Sequence, residues 1–202
     1  MKQRDVFLNI PYDPDFQTLY VAYIVGLSEL GFRPRATLAI SGGVARLDRI
    51  FDLIQSCRYS IHDLSRVEID IAPPPTPRFN MPFELGMAVA WAKLHTSDHT
   101  YVVFESVNRR AQKSLSDMNG ADFNIHDGTP EGVMRELSNA FVREVNPPSF
   151  AEMMASYRAV RKLLPDVKRL SGASSVFEAR AFERIVAIAS SLREKRLTAL
   201  SR

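Results

Sequence analysis

Short apolar strands alternate with helical repeats through about residue 145, and this alternation limits the fold more than any other feature. Val6-Phe7-Leu8-Asn9-Ile10 reads as a strand stopped by Pro11. From Phe16 the spacing becomes helical (Leu19, Tyr20, Tyr23, Ile24, Leu27, Leu30), and Gly31 suits the end of that helix. Arg35 to Ile40 reads as a second strand and Ala45 to Ser56 as a helix with Leu47, Ile50, Phe51 and Ile54 on one stripe. Tyr59 to Leu64 is a third strand and Tyr101 to Glu105 a fourth, with a short fifth placed near Ala121 to Ile125. Thr129 caps a helix that opens with Pro130 and runs to about Val145. Residues 72–77, four of them proline, are expected to be an irregular loop. This order predicts an α/β fold with a parallel sheet covered by helices on both faces.

Asn146-Pro147-Pro148-Ser149 breaks the pattern. We read residues 1–146 as the α/β domain and 147–202 as a C-terminal α-helical extension. Two helical segments, about Phe150 to Leu164 and Val176 to Leu200, are separated by Pro165 and by Ser171-Gly172-Ala173. The stripe Phe177, Ala181, Ile185, Ile188, Leu192 suits a helical hairpin or a dimerisation arm, so a homo-oligomer through these helices is expected.

Charge is divided along the chain. Residues 1–150 carry 15 Lys+Arg against 18 Asp+Glu, and residues 151–202 carry 11 against 5. The basic residues are not interleaved with aromatics, which argues against nucleic acid and for a solvated helix face. No apolar run reaches the ~20 residues of a membrane span, and the first residues offer no signal-peptide core. The lone Cys57 forms no internal disulfide and fits a reducing, cytoplasmic setting, as a small core residue.

In an open parallel sheet the binding crevice lies outside the C-terminal ends of the strands. That rule selects Asn9, Pro11, Tyr12 and Asp13 after strand 1, and Ser41, Gly42, Gly43 and Arg46 after strand 2. It selects His62, Asp63, Ser65 and Arg66 after strand 3, and Glu105, Asn108, Arg109 and Arg110 after strand 4. Glu84 opens into the same rim. It is expected in the first turn of a helix whose residues (Leu85, Met87, Ala88, Val89, Ala90, Trp91, Ala92, Leu94) leave almost no polar face, so burial on all sides is expected.

A carboxylate at a helix start feels free N–H groups and the positive dipole end, which favour its ionised form. Glu84 is therefore either a nucleophile or charge stabiliser, or a helix-start charge completing a cap begun by Asn80. Carboxylates are the usual catalysts of glycosidic cleavage, and Asp63 is either the second one here, as an acid or a ribose-hydroxyl acceptor, or a residue that only caps or binds backbone N–H groups in its loop. Ser41-Gly42-Gly43 before a helix either cradles a phosphate, with Arg46 pairing to it, or is an ordinary tight turn. His62 alternates with Ile61 and reads as a satisfied core or rim histidine. His95 and His99 have no carboxylate pair or cysteine nearby, and no metal or cofactor is expected.

Phe7-Leu8-Asn9-Ile10-Pro11-Tyr12-Asp13, Tyr59-Ser60-Ile61-His62-Asp63-Leu64-Ser65 and Asn80-Met81-Pro82-Phe83-Glu84-Leu85-Gly86-Met87-Ala88 resemble the nucleoside 2-deoxyribosyltransferase-like group and the related bacterial TIR-like domains. The resemblance covers roughly residues 5–145. It implies a flavodoxin-like sheet, with Glu84 at the position of the glutamate that attacks the sugar or cleaves the nicotinamide glycosidic bond. Asp63 matches the aspartate ending strand 3, and Asn119 corresponds to a substrate-side asparagine. The stretch before Glu84 lacks the aspartate–glycine pair of the transferases. The expected function is binding of a nucleoside, nucleotide or NAD at the rim, with cleavage or transfer at the N-glycosidic bond by Glu84. Asn9 and Tyr12 would contact base or sugar. The other reading is a non-catalytic nucleotide sensor or self-associating TIR-like signalling module, with bacterial defence implied by the resemblance alone.

Overall fold

The computed structural model describes residues 4–39, 46–66, 68–145 and 147–200. Its central sheet contains β1 (Asp5–Asn9), β2 (Arg33–Arg35), β3 (Tyr59–Asp63), β6 (Thr100–Glu105) and β7 (Phe123–Ile125). They lie in the order β2-β1-β3-β6-β7, and every neighbouring pair is parallel. This is a flavodoxin-like arrangement, with α1 (Gln17–Glu29) and α5 (Pro130–Ala140) on one face and α2 (Arg46–Ser56) and α3 (Asn80–Leu94) on the other. Between β3 and α3 the proline-rich segment forms a two-stranded hairpin, β4 (Ile69–Asp70) with β5 (Thr76–Pro77). A short α4 (Arg110–Ser114) follows β6, and α6 (Phe150–Ser171) and α7 (Ala179–Leu200) complete the chain.

Alternation within strands decides which residues face which layer. Leu8, Ile61 and Phe104 pack in the main core with α1, whereas Phe7 and Val103 pack beneath α2 and α3. By the same period Asn9, Ser60 and His62 belong to the α2–α3 face and Asp63 to the α1 face, which separates the two polar groups of the rim.

The helix enclosed on all sides is α1, not α3. Every residue from Leu19 to Glu29 is buried, because α6 and α7 lie across the side of α1 that the sheet and α5 leave open. Each buried branched or aromatic side chain contributes about 1.5–3 kcal/mol, so this covering is a main part of the stability. Polar ties fix the layers: Tyr20 donates to the Val176 carbonyl at 3.1 Å and Ser156 to Glu29 at 2.6 Å. Arg196 neutralises the fully buried Glu29 carboxylate at 2.7 Å, which meets the cost of burying a charge at a helix C-terminus. The stripe Phe177, Ala181, Ile185, Ile188, Leu192 packs inside the chain rather than on an outer surface.

Several boundaries differ from the sequence reading. The second strand is Arg33–Arg35, followed by a 3-10 turn at Thr37–Ala39, rather than Arg35 to Ile40. Pro34 supplies no ladder donor, and an edge position tolerates that. α5 ends at Ala140, where Phe141 turns inward against Phe32 and Tyr59, with ring centroids 4.6 and 5.2 Å away. α6 continues through Pro165, whose ring lies on the exposed side while Leu164 and Val167 hold the buried side. Gly31 does end α1, with φ +81°, and a Cβ there would meet the Arg193 guanidinium at 2.8 Å.

Only Met81, Glu84, Leu85 and Ala88 of α3 are buried, and Phe83 and Leu94 are exposed, because no layer formed by the described residues covers its outer side. No described helix is long and apolar enough to cross a membrane.

Because α7 is part of the core of the α/β domain, Phe182→Ala should lower stability by about 3–5 kcal/mol. Urea unfolding followed by the fluorescence of Trp91, on the far face of the sheet, should shift as a single transition. An unmoved Trp91 transition would mean that the C-terminal helices fold independently.

Candidate functional site

A pocket of about 320 Å³ opens at the C-terminal ends of β1 and β3, and its lining includes Pro11, Tyr12, Asp13, Arg46, Asn80 and Met81. Two further arginines, Arg66 and Arg78, complete the wall. Arg66 had been selected by the rim rule. Arg78 had not, because the turn that carries it into the pocket is set by the β4–β5 hairpin.

Glu84 lies one helical turn beyond Asn80 and is 4 % exposed. It is the fifth residue of α3, not in the first turn, and Phe79 is the N-cap without a side-chain capping bond. The free N–H groups expected to stabilise its charge are therefore out of reach. Burial pushes its pKa upward from the ordinary carboxylate value, against the opposing pull of Arg46 and of a hydrogen bond from Asn9. Arg46 Nη2 is 3.8 Å from Oε1, and its own side chain is largely exposed, so screening weakens this pair. Oε2 is buried and finds no hydrogen-bond partner among the described residues.

Tyr12 donates its hydroxyl to the Leu8 carbonyl at 3.1 Å and packs edge-on against Tyr20. Burial raises its pKa, so it acts as a neutral phenol. Asp13 Oδ1 caps the turn at Phe16, while Oδ2 stands 3.3 Å from Arg66 Nε and 3.6 Å from Arg78 Nη1. Asp13 thus pairs with both guanidinium groups at the pocket wall.

Asp63 does not join this pocket. It is fully buried on the α1 face, where Oδ2 accepts from Tyr23 at 2.6 Å and lies 3.1 Å from His126 Nε2, and Oδ1 accepts from the Ser65 N–H at 2.8 Å. Ser65, His126 and Asp63 contain the residue types of a catalytic triad, but the same histidine nitrogen faces both partners: Nε2 is also 2.9 Å from Ser65 Oγ. Nδ1 accepts from the Gly128 N–H, so the proton resides on Nε2, and a relay through the ring cannot operate. Gly132 lets α5 approach this corner, since a Cβ there would fall 2.0 Å from the His126 carbonyl oxygen. Asp63 is a fully buried structural hub of the rim and does not line the pocket.

Asn119 lines a separate open cleft with Arg109, Gln112 and Lys113. Ser41 and Gly42, like Gly43, lie outside the described residues. The structure therefore brings Pro11, Tyr12, Arg46 and Asn80 together around the pocket, with Glu84 behind that lining next to Arg46, and leaves Asn9, Asp63 and Asn119 out of the lining. Glu105, another rim carboxylate, is held by Arg110 at 2.5 Å and by the Ser106 and Val107 N–H groups.

His62 is a satisfied core histidine. Its Nδ1 is 3.0 Å from Asn9 Nδ2 and its Nε2 is 2.9 Å from Ser60 Oγ. Burial and the nearby His99 push its pKa down to about 3. Cys57 is buried, and its thiol is pushed up to about 12, which makes it unreactive. Among the described residues no group of three or more His, Cys, Asp or Glu is placed to hold a metal ion. A larger cavity of about 570 Å³ lies at the opposite end of the sheet, between Arg4, Glu144, Arg193 and Pro148. Its buried carboxylate, Glu29, is already neutralised by Arg196, so it lacks the unpartnered group that marks the rim pocket.

No protein-family model matches the chain, and no curated protein matches it.

Two opposite pH dependences follow. His62 binds a proton less well folded than unfolded, so its contribution to stability is present above about pH 6.5 and is lost as pH falls toward 3. Denaturation midpoints should fall on acidification, by on the order of 1 kcal/mol per pH unit, and His62→Gln should lower stability at neutral pH while flattening that slope. Glu84 has a raised folded-state pKa, so stability is lost as pH rises through it. Glu84→Gln should therefore stabilise the protein at about pH 7.5, by on the order of 1 kcal/mol, and not at about pH 4.

Proposed function

We propose that this protein binds a nucleoside, nucleotide or NAD-type ligand at the rim pocket and cleaves or transfers at its N-glycosidic bond through Glu84. The observation that carries the reading is the buried Glu84 oxygen with no hydrogen-bond partner among the described residues, beside a pocket of ligand size. An unsatisfied buried carboxylate oxygen costs stability, and such groups concentrate where a ligand completes them. The resemblance to nucleoside 2-deoxyribosyltransferase-like and TIR-like domains supports the same residue, and the parallel flavodoxin-like sheet is consistent with it.

In this reading the Glu84 carboxylate forms a bond to the anomeric carbon as the carbon–nitrogen bond breaks, and the electron pair leaves with the base. Water or a second base then displaces the carboxylate. With Asp63 on the other side of the sheet, Asp13 is the remaining acidic residue of the pocket wall, and it is paired to Arg66 and Arg78. This arrangement favours a leaving group that departs without an added proton, as a pyridinium base does. Arg46, Arg66 and Arg78 suit a phosphate-bearing ligand.

The withdrawal of Asp63 also favours a second reading, in which the pocket binds a nucleotide without turnover and reports its presence to a partner.

Free-base release from NAD, nucleotides and deoxynucleosides, followed by chromatography, separates the two. Catalysis predicts release from NAD before deoxynucleosides, a rate that rises through the elevated Glu84 pKa, and a loss of about a thousandfold or more in Glu84→Gln with ligand still bound. Absence of release from every substrate, with ligand-induced stabilisation retained, would establish the sensor reading instead.

A further inference from the structure

A chain of buried polar groups runs beneath α2 and α3, from Asn9 to the opposite end of the sheet. Asn9 Nδ2 meets His62 Nδ1 at 3.0 Å, and His62 Nε2 meets Ser60 Oγ at 2.9 Å. Ser60 Oγ meets His99 Nε2 at 2.9 Å, and His99 Nδ1 meets the Cys57 carbonyl oxygen at 3.0 Å. All four side chains are buried. Ser60 and His62 share this face because they are two residues apart in β3, and His99 enters from the residue before β6.

The direction of every bond in the chain is determined from its far end. A backbone carbonyl only accepts, so His99 Nδ1 carries a proton and its Nε2, in the neutral ring, accepts. Ser60 therefore donates to His99, and its oxygen accepts from His62 Nε2–H. His62 Nδ1 is left as an acceptor, which only an N–H group of Asn9 can satisfy. An asparagine amide can otherwise present either its oxygen or its nitrogen. Here the chain leaves one orientation, with the NH₂ group between His62 and Glu84.

We infer that Ser60, His62 and His99 form a positioning relay that holds the Asn9 amide as an obligate donor to Glu84. A reversed amide would turn a carbonyl oxygen toward the carboxylate and leave His62 Nδ1 without a donor. None of the three touches the pocket; each acts through the next. A neutral chain is required: a second proton on His62 would set two donors face to face at Asn9, and one on His99 would leave the Ser60 hydroxyl with nothing to donate to there and free to turn toward His62. Burial holds both histidines in that state by lowering their affinity for a proton. The groups facing Glu84 are Arg46 from α2, Tyr12 from the loop after β1 and Asn9 from β1. Those facing the relay are the Phe7 ring beside His62 and Arg58 beside His99.

The inference concerns the carboxylate on which the proposed chemistry rests, yet it is read without turnover. Full-length protein with ¹³C-labelled glutamate carboxyls is titrated by NMR, the Glu84 signal being identified by its loss in Glu84→Gln. Ser60→Ala and His99→Phe should raise the Glu84 midpoint by about half a pH unit or more, and Ser60→Thr should restore the parent value. Ile61→Val, in the same strand on the opposite face, should lower stability without moving it. Unchanged Glu84 midpoints in folded Ser60→Ala and His99→Phe would overturn the relay. If neither variant folds, ¹⁵N shifts of the parent imidazoles decide. The relay requires Nε2–H at His62 and Nδ1–H at His99, and either opposite tautomer refutes it. A protein that turns over no substrate but shows these shifts would retain the relay and lose the enzymatic reading.

Discussion

α1 is enclosed on every side, and the arrangement of the layers follows from covering it. Water would meet Tyr20, Ile24 or Leu27 on whichever side was left open, and α1 is buried along its entire length from Leu19. The sheet and α5 enclose part of it, and α6 and α7 close the rest. The C-terminal helices are thus a condition of the sheet rather than an appendage to it. Glu29 shows how closely the layers depend on each other: its charge is tolerable in the interior because Arg196 and Ser156 arrive from α7 and α6 to meet it.

The same layering organises the rim. Successive residues of β3 face opposite sides, so His62 and Asp63 are neighbours in sequence but serve separate networks. Asp63 gathers Tyr23, Ser65 and His126 over α1 and braces the loops after β3 and β7. His62 lies among groups that reach Glu84 through Asn9. Placing every second polar group on the other face keeps Asp63 away from Glu84, which lies beside a pocket walled by Asp13 and three arginines.

Most of the architecture was legible in the sequence because it rests on local rules. Strand–helix alternation gave the parallel sheet, Thr129-Pro130 a helix start, and Gly31 a helix end with φ +81°. The positions of Pro11, Tyr12 and Arg46 followed from the rule for strand ends. What failed depended on distant partners. The apolar content of α1 and α3 is similar, and nothing within either segment says which of them the C-terminal helices will cover. Pro165 reads as a stop, but the solvated outer side of α6 accommodates it. Asp63 looked available because a sequence does not show Tyr23 and His126 closing over it. The Ser60–His62 pair carried a usable signal, two polar residues two apart within an apolar strand. His99, in a loop, gave none.

The enclosure of α1 also orders events during synthesis. A ribosome releases β1, α1 and the strands of the sheet well before it has made the helices that shield the back of α1. Until α7 emerges, a row of aromatic and branched side chains has no native cover, and Glu29 has no arginine. Domains fold as units as they emerge, and transiently open apolar surface invites association with other chains. The nascent chain is therefore at its most adhesive just before α7 leaves the exit tunnel, and a pause in translation at that point would be felt more keenly than one anywhere earlier.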